Sequence, residues 1–299
     1  MKNEIVVILN PAAGRGSTLR LLPQIRESFG AIGIIDFRET RTAGHEEGLA
    51  REAIARNATT IVAVGGDGTC TRIANAILKS GRFCRLAVVP TGTGNDFAKT
   101  LCVQTLSVEA IAQLVARGHS TPVDVGRIED DFFLNSCGFG FDASALEASN
   151  RVRFLKGDAI YIYSALRQLF TYRGVEVSAN VGNVKLARML MVTVSNGRWL
   201  GGAFEIAPDA SVLDGKLDVC FFSDSNVLER ARLFLGALRG THLAMRAVSS
   251  ASVQELVLTF AEPPSMEIDG ELRTAKSTTV KLKCVPRALE VVAAPGALA

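Results

Sequence analysis

Two glycine-rich segments, each carrying an acidic residue, hold the residues best suited to bind a phosphorylated ligand. Residues 65–69 read Gly-Gly-Asp-Gly-Thr, and residues 91–96 read Thr-Gly-Thr-Gly-Asn-Asp. Glycine has no Cβ, so backbone amides can approach a phosphate closely, and a following helix N-terminus adds partial positive charge. Neither segment has the Gly-Lys-Ser/Thr ending of a P-loop. We therefore expect a divalent metal ion, held by Asp67 and Asp96 directly or through water, to help neutralise the phosphates.

The elements that must position these segments alternate between strand-like and helix-like patterns up to Pro122. This alternation predicts a doubly wound parallel α/β sheet, in which ligands bind beyond the carboxyl ends of the strands. A third glycine-containing loop, residues 10–16, also follows a strand-like run, so three loops should converge on one edge of the sheet. The predicted strands are 5–9, 32–37, 60–64 and 86–89, and the predicted helices are 19–29, 46–56, 71–78 and a stretch through 110–116.

After Pro122 the strand-like runs follow one another, which predicts a mainly antiparallel β domain. The expected domains are therefore 1–122 and 123–299, and the pattern leaves open whether the last segment returns to the first domain. Helices are predicted at 156–172 and 226–239. Strands are predicted at 123–128, 132–136, 175–180, 187–195, 216–222, 253–260, 266–268, 279–285 and 289–292.

The composition describes a folded globular protein with no requirement for nucleic acid. Of 299 residues, 48% are hydrophobic and 21% are charged, and the net charge of +3 comes without a dense basic run. Six cysteines stand singly, which predicts buried thiols in a reducing compartment. No signal-peptide pattern and no membrane-spanning apolar run is present, so we expect a cytoplasmic protein.

Taken together, the motifs resemble the diacylglycerol kinase catalytic family, whose bacterial soluble lipid kinases are the nearest kind and whose relatives include sphingosine and ceramide kinases. The motifs are Asn10-Pro11 with Gly14 and Gly16, residues 65–69, residues 90–98, and Asp269-Gly270-Glu271. The resemblance covers nearly the whole chain in the family's order. It implies an N-terminal α/β nucleotide-binding domain, a C-terminal antiparallel β-sandwich, and an active site in the cleft between them.

The resemblance also implies roles for individual residues. Glu271 falls on the family's general base. Asp214, with main-chain oxygens near Ser211 and Lys216, resembles a bacterial structural Mg²⁺ site. Thr71 occupies a position where the family often has asparagine, and the threonine hydroxyl can still donate or accept a hydrogen bond. The residues implied to contact ATP are Asn10, Thr40, Gly65, Gly66, Asp67, Gly68, Thr69 and Thr93.

Several of these residues also have a simpler interpretation. Considered alone, Asp67 would be interpreted as a residue that caps the next helix. Its position among three glycines after a strand instead favours a role in the phosphate site. Glu271 and Asp214 both adjoin Asp-Gly pairs that are hairpin signals, so both could be solvated turn residues. Phe139 and Phe141 could line a lipid entrance or belong to the core.

The basic, apolar stretch 151–173 has two interpretations of the same kind. It could be a helix at a membrane surface or an ordinary amphipathic helix.

The resulting hypothesis is an ATP-dependent, Mg²⁺-requiring lipid kinase that phosphorylates a primary hydroxyl of a diacylglycerol, ceramide or sphingoid-type lipid. Its partner would be a lipid at a membrane surface, contacted peripherally, with no nucleic acid involved. Monomer and homodimer both remain open. The alternatives are an NAD kinase-like enzyme, which shares the Gly-Gly-Asp-Gly-Thr turn, and an inactive nucleotide- or lipid-binding regulator.

Overall fold

The structure, a computed structural model, describes residues 4–149, 167–168, 170–181, 185–294, 296 and 298. The predicted helix at 156–172 lies mostly outside the described residues. The chain divides into two compact units, described here one at a time. Unit 1 comprises Met1–Asp124 and Pro286–Ala299, and unit 2 comprises Val125–Val285.

Unit 1 contains a parallel sheet with strand order β2-β1-β3-β4, which confirms the predicted parallel α/β class. The returning C-terminal strand adds to its edge, since Val291 pairs in parallel with Leu86. The strands are β1 Ile5–Leu9, β2 Asp36–Glu39, β3 Thr60–Gly65 and β4 Arg85–Pro90. The helices are α1 Ser17–Ala31, α2 His45–Ala55, α3 Asp67–Ser80, α4 Asp96–Thr100 and α5 Val108–Arg117.

Helices cover both faces of this sheet. On one face, Phe29 of α1 and Ile111 of α5 pack against Val7 and Leu9 of β1, and α2 contacts α3. Because both faces are covered, every residue of β3 is buried, which explains its continuous apolar sequence. The buried sheet holds the loops at its carboxyl edge in fixed positions.

The prediction for the second strand was wrong in position. A strand was expected at 32–37, but Gly33 has a φ of +83°, Ile35 is 87% exposed, and β2 begins at Asp36. This edge strand has the sequence Asp-Phe-Arg-Glu and is only partly buried, so no apolar alternation marks it.

Unit 2 is built from antiparallel strands, which confirms the predicted β-rich second half. Its main path runs β16-β15-β7-β9-β8-β14-β17, and β12 joins β9 to β13. The strands are β5 Thr121–Ile128, β6 Asp131–Phe133, β7 Ser136–Gly140, β8 Val175–Ala179, β9 Ala187–Ser195, β10 Trp199–Leu200, β11 Phe204–Glu205, β12 Leu217–Ser223, β13 Val248–Val253, β14 Glu255–Phe260, β15 Ser265–Ile268, β16 Glu271–Thr274 and β17 Thr279–Val291. The helices are α6 Phe141–Ser149 and α7 Val227–Ala237.

Three expectations need correction here. Residues 132–136 form the end of β6 and the start of β7, not one strand. The two strands predicted at 279–285 and 289–292 are the single strand β17, which continues past Pro286 with a positive φ at Arg287. Cys102 is exposed, whereas the other five cysteines are buried as predicted.

The two phenylalanines of the 138–142 segment occupy different environments. Phe139 lies in β7, is fully buried, and packs against Phe260 with ring centroids 5.3 Å apart, so it is a core residue. Phe141 begins α6 and lines a small apolar cavity of about 50 Å³ in unit 2.

Candidate active site

Two of the glycine loops of unit 1 are joined by short hydrogen bonds. The Ser17 hydroxyl donates to the Thr91 carbonyl at 2.5 Å, and the hydroxyls of Thr18 and Thr91 lie 2.6 Å apart. A Cβ on Gly14 would overlap the Thr91 carbonyl oxygen, and the φ of Gly14 is +55°. The loop after β1 and the loop after β4 therefore pack together at the carboxyl edge of the sheet, as the sequence predicts.

The loops after β3 and β4 approach each other just as closely. The Thr91 amide donates to the Gly65 carbonyl at 3.0 Å. A Cβ on Gly92 would overlap the Gly66 Cα and lie 2.9 Å from the Asn95 Oδ1. Only glycine fits between these two loops, so the backbone of both remains open to a ligand.

Replacing Gly92 with alanine should weaken ATP binding by about tenfold or more, because the new methyl group forces the two loops apart and misaligns their amides. Fluorescence or calorimetric titration with ATP measures the effect. Gly81→Ala is a matched control, since it ends α3 with a φ of +64° and has no atom within 4 Å of the added Cβ. Equal losses in the two variants would show general strain instead of a disturbed ligand site.

Three helices of unit 1 begin at glycine on this edge. The residues before α1, α2 and α3 are Gly16, Gly44 and Gly66, which have no side chain with which to cap these three helices. The first-turn amides of such helices carry partial positive charge and accept anionic oxygens as partners. Open helix N-termini beside a cradle that a Cβ would fill fit the triphosphate of ATP.

A buried polar network ties the ends of β1, α2 and α3 together. The side-chain Nδ2 of Asn10 donates to Glu46 Oε1 and to Thr69 Oγ1, both at 3.0 Å. The side-chain Oδ1 of Asn10 accepts the backbone amide of Ala12. Glu46 is 2% exposed and also accepts from Arg72 at 3.5 Å. Asn10 and Thr69 therefore position the loops, and their implied contacts to ATP stay predictions. The sequence analysis missed Glu46, since its partners are distant along the chain.

The two acidic residues of the glycine loops are connected through the start of α4. Asp67 begins α3, and its Oδ1 accepts the Phe97 amide at 3.1 Å, so it joins α3 to α4. Asp96 begins α4, is 7% exposed, and pairs with Lys99 at 2.9 Å. Lys99 is a cation at this edge that the sequence analysis did not single out.

The donor chemistry of this pair suits Mg²⁺. Carboxylate oxygens are its usual protein ligands, and it commonly takes only one or two of them together with phosphate oxygens and water. Among the described residues no group of three or more His, Cys, Asp or Glu side chains could hold a metal ion. Asp67 and Asp96 thus fit a metal ion that arrives with a nucleotide better than one held by protein alone.

The remaining implied ATP contacts lie on the same edge. Thr40 follows β2, and its amide donates to the Leu9 carbonyl at 2.8 Å. Gly68 lies in the first turn of α3 and is partly buried. Thr93 is exposed in the loop before α4. These positions agree with a binding surface, and contact with a nucleotide remains a prediction for each.

Unit 2 contains the Asp-Gly-Glu turn, which joins β15 to β16. Asp269 and Gly270 have φ values of +45° and +85°, the pattern of a type I′ hairpin turn. The Asp269 carboxylate accepts the amides of Leu134, Asn135 and Ser136 at 2.7, 2.9 and 3.0 Å. Three such bonds offset the strain of a positive φ at a non-glycine residue and fix the turn to the start of β7.

Glu271 follows this turn as the first residue of β16. Its side chain is 22% exposed, and its Oε2 accepts from Arg273 at 3.2 Å. Arg273 also pairs with Asp131. Although partial burial opposes it, the neighbouring Asp131 and Glu271 carboxylates raise the pKa of Arg273, so the guanidinium stays charged. Glu271 is therefore an oriented, solvent-accessible carboxylate, which is what a general base requires.

The implied structural metal site lies in the loop before β12. Asp214 is exposed, and its Oδ1 accepts the Lys216 amide at 2.9 Å. The Ser211 hydroxyl accepts the Leu213 amide at 3.3 Å. Burial raises the pKa of the nearby Asp218, helped by the charges of Asp214 and Asp209. The loop is a stable turn with negative charge around it, and a bound metal remains a prediction.

Comparison with known proteins agrees with this geometry. The model of the "Diacylglycerol kinase catalytic domain" matches residues 4–128, and that of the "YegS C-terminal NAD kinase beta sandwich-like domain" matches residues 135–293. The chain belongs to the diacylglycerol kinase family. The first match contains all three glycine loops, and the second contains the Asp-Gly-Glu turn.

Members of this family from several bacteria resemble the chain along most of its length. A protein named "Diacylglycerol kinase" from Bacillus subtilis (strain 168) is 27% identical over 268 residues, covering 89% of this chain and 88% of that one. "Probable lipid kinase YegS-like" from Xanthomonas euvesicatoria pv. vesicatoria (strain 85-10) is 29% identical over 285 residues, covering 89% of this chain and 90% of that one.

The fold is also that of a solved structure. A crystal structure titled as a putative diacylglycerol kinase from Bacillus anthracis str. Sterne superposes with a TM-score of 0.81 at 24% identity, and 99% of each chain is covered. Within the described residues, no helix is both long enough and apolar enough to cross a membrane.

Proposed function

We propose that this protein is an ATP-dependent lipid kinase that transfers the γ-phosphoryl group to a primary hydroxyl of a diacylglycerol, ceramide or sphingoid-type lipid. The observation that carries the proposal is the convergence of three glycine loops beside the open N-termini of α1 and α3, within the part of the chain that matches the family's catalytic domain. Family membership supports the use of ATP. The named relatives support a lipid acceptor, and the choice of lipid is left to experiment.

In the proposed mechanism, each group of residues has one task. Amides at the starts of α1, α2 and α3 bind the phosphates, and Asp67 with Asp96 would hold Mg²⁺ or its water ligands. When bound, Mg²⁺ supplies positive charge that neutralises the transferring phosphoryl group. Glu271 accepts the proton of the attacking hydroxyl, and Arg273 keeps its carboxylate oriented.

Two alternatives remain to be separated from this proposal. An NAD kinase-like enzyme would use the same glycine loops with a nucleotide acceptor, and residues 90–98 together with the Asp-Gly-Glu turn favour the lipid kinase. An inactive regulator would not need Asp67, Asp96 and Glu271 together, so their joint presence favours an enzyme.

Transfer of radiolabel from [γ-³²P]ATP to diacylglycerol, ceramide, sphingosine and NAD in mixed micelles with Mg²⁺ tests the proposal. Label in one of the lipids is expected, and it should require Mg²⁺. Label in NAD alone would overturn the proposal in favour of the NAD kinase-like enzyme. Nucleotide binding without label in any acceptor would favour the regulator.

We also propose that the protein acts in the cytoplasm and meets its lipid peripherally at a membrane surface. The stretch containing Arg151, Arg153 and Lys156 supports this through its sequence, and it lies outside the described residues. Each basic residue near an anionic bilayer contributes about 1 kcal/mol to binding.

Neutralising Arg151, Arg153 and Lys156 together should therefore reduce activity on anionic vesicles by tenfold or more, in line with about 1 kcal/mol per residue, and leave activity on a short-chain soluble lipid nearly unchanged. Vesicle co-sedimentation measures the binding step separately from turnover. Equal losses on vesicles and on the soluble lipid would contradict a role in membrane binding.

A further inference from the structure

Two carboxyl groups of unit 2 lie side by side in the interior, beneath the Asp-Gly-Glu turn. Glu267 of β15 is 3% exposed, and Asp142 of α6 is fully buried. Glu267 pairs in register with Gly138 of β7, and the Asp142 carboxylate occupies the space where a Cβ on Gly138 would lie. The absence of a side chain at Gly138 thus lets the two carboxyl groups meet.

Glu267 Oε2 is buried without a hydrogen-bond partner among the described residues, and the charge of Asp142 acts on this carboxyl group. Two ionised carboxylates buried side by side would repel each other, so this arrangement favours a proton on one of them. Burial raises the pKa of Glu267 well above its ordinary value of 4.5, and the Asp142 charge raises it further. Both effects favour the protonated form of Glu267 beside a charged Asp142.

The second oxygen of Glu267 reaches the catalytic turn. Its Oε1 accepts the amide of Gly270, the residue directly before Glu271. Asp269 is held separately by the amides of residues 134–136. The two residues before Glu271 are thus each fixed by a buried carboxyl group.

Three other charged or titratable groups among the described residues surround the pair. Asp269 faces it from the turn, Cys137 lies on β7, and Arg273 lies on β16. Asp269 accepts three backbone amides. Burial and nearby carboxylates raise the pKa of the Cys137 thiol, so that thiol stays protonated. Arg273 is paired with Asp131 and Glu271.

We propose that Glu267 is a positioning residue for the phosphoryl transfer: by sharing one proton with Asp142 it holds the Gly270 amide and thereby fixes the direction of Glu271. This inference rests on the proposed function, since it assigns Glu271 as the base. Loss of the shared proton would leave two adjacent buried carboxylates that repel each other. The Gly270 amide would then be released, and the orientation of Glu271 would be lost.

Two variants test the two parts of this proposal separately. Glu267→Gln removes the titrating proton, and Glu267→Leu removes the acceptor of the Gly270 amide. The glutamine keeps an acceptor for Gly270 and an N–H donor for Asp142 without a titrating proton, so its kcat near neutral pH should stay within about threefold of the wild type. As the pH rises, the kcat of Glu267→Gln should decrease less than the kcat of the wild type. The leucine loses the acceptor, so kcat should fall by about tenfold or more while the KM for ATP is unchanged. Glu255→Gln, at the exposed first residue of β14, is the matched control.

Two measurements test the inference without relying on enzymatic activity. Hydrogen exchange at the Gly270 amide should be faster in Glu267→Leu and unchanged in Glu267→Gln. The infrared carbonyl band of a protonated carboxylic acid should disappear in Glu267→Gln and persist in Glu255→Gln. Unchanged Gly270 exchange in a folded Glu267→Leu, or a band that persists in Glu267→Gln, would overturn the inference. Absence of lipid phosphorylation in the wild type would instead overturn the proposed function, and these two readouts would still stand.

The pair also predicts a pH dependence of stability. The pKa of Glu267 is higher in the folded than in the unfolded protein, so its contribution to stability is complete below about pH 4.5 and is lost as the pH rises through the folded value. The free energy of unfolding of the wild type should therefore fall relative to that of Glu267→Gln as the pH rises above 4.5. Denaturant titrations across this range measure the difference. A difference that does not change with pH would contradict the shared proton.

Discussion

Replacing Asp67 with asparagine should lower kcat by about a hundredfold or more while the protein stays folded. The asparagine carbonyl can still accept the Phe97 amide, which Asp67 accepts at 3.1 Å, so the junction of α3 and α4 is preserved. What the variant loses is one negative charge beside the phosphate cradle, where it would organise Mg²⁺. The loss of one such electrostatic element has an effect of this size. Steady-state kinetics over a range of Mg²⁺ concentrations measures it.

The control for this variant is Glu27→Gln, which removes one negative charge from an exposed position on α1. It should leave kcat and the Mg²⁺ dependence unchanged. If Asp67→Asn turned over at the wild-type rate with the wild-type Mg²⁺ requirement, Asp67 would only be a residue that joins α3 to α4.

Glu271→Gln should lower kcat by a hundredfold or more and leave the KM for ATP nearly unchanged. Glutamine keeps the size of the side chain and an oxygen that can accept from Arg273, which lies 3.2 Å away. It removes the basic oxygen that would accept the proton of the lipid hydroxyl, and general base catalysis contributes about this much to a rate. Because the base acts in the chemical step, nucleotide binding should not change.

Two further variants separate catalysis from local structure. Lys276→Gln removes an exposed cation that pairs with Asp130 in the same unit, and it should have wild-type kcat. Arg273→Gln should lower kcat less than Glu271→Gln, because it disturbs the orientation of the base without removing it. A Glu271→Gln enzyme with wild-type kcat would mean that another group, or water, accepts the proton.

The sequence predicted that the glycine loops come together, because loops at the ends of parallel strands follow simple geometry. The carboxyl ends of parallel strands share one edge, so the loops after β1, β3 and β4 had to come together. Strand β3 was equally predictable, since a strand covered on both faces must be apolar throughout.

The parts that the sequence did not predict depend on partners far apart in the chain. Glu46 was placed only at the start of a predicted helix, and the structure shows it buried and bonded to Asn10, which lies 36 positions away. The sequence analysis assigned no role to Asp142 or Glu267, whose proximity depends on the missing side chain of Gly138. Strand β2 was misplaced because it is a partly buried edge strand whose sequence has no apolar alternation.

The most direct test of the central claim is the stoichiometry of phosphoryl transfer to the lipid that accepts label in the radiolabelled-ATP assay. ADP formed and phosphate transferred to the lipid should be equal in the wild type, and both should fall together in Asp67→Asn and Glu271→Gln. Omitting the lipid should stop ADP formation. ADP formation that continues without lipid, or that is not matched by phosphorylated lipid, would contradict a lipid kinase and indicate an ATPase or a nucleotide-binding regulator.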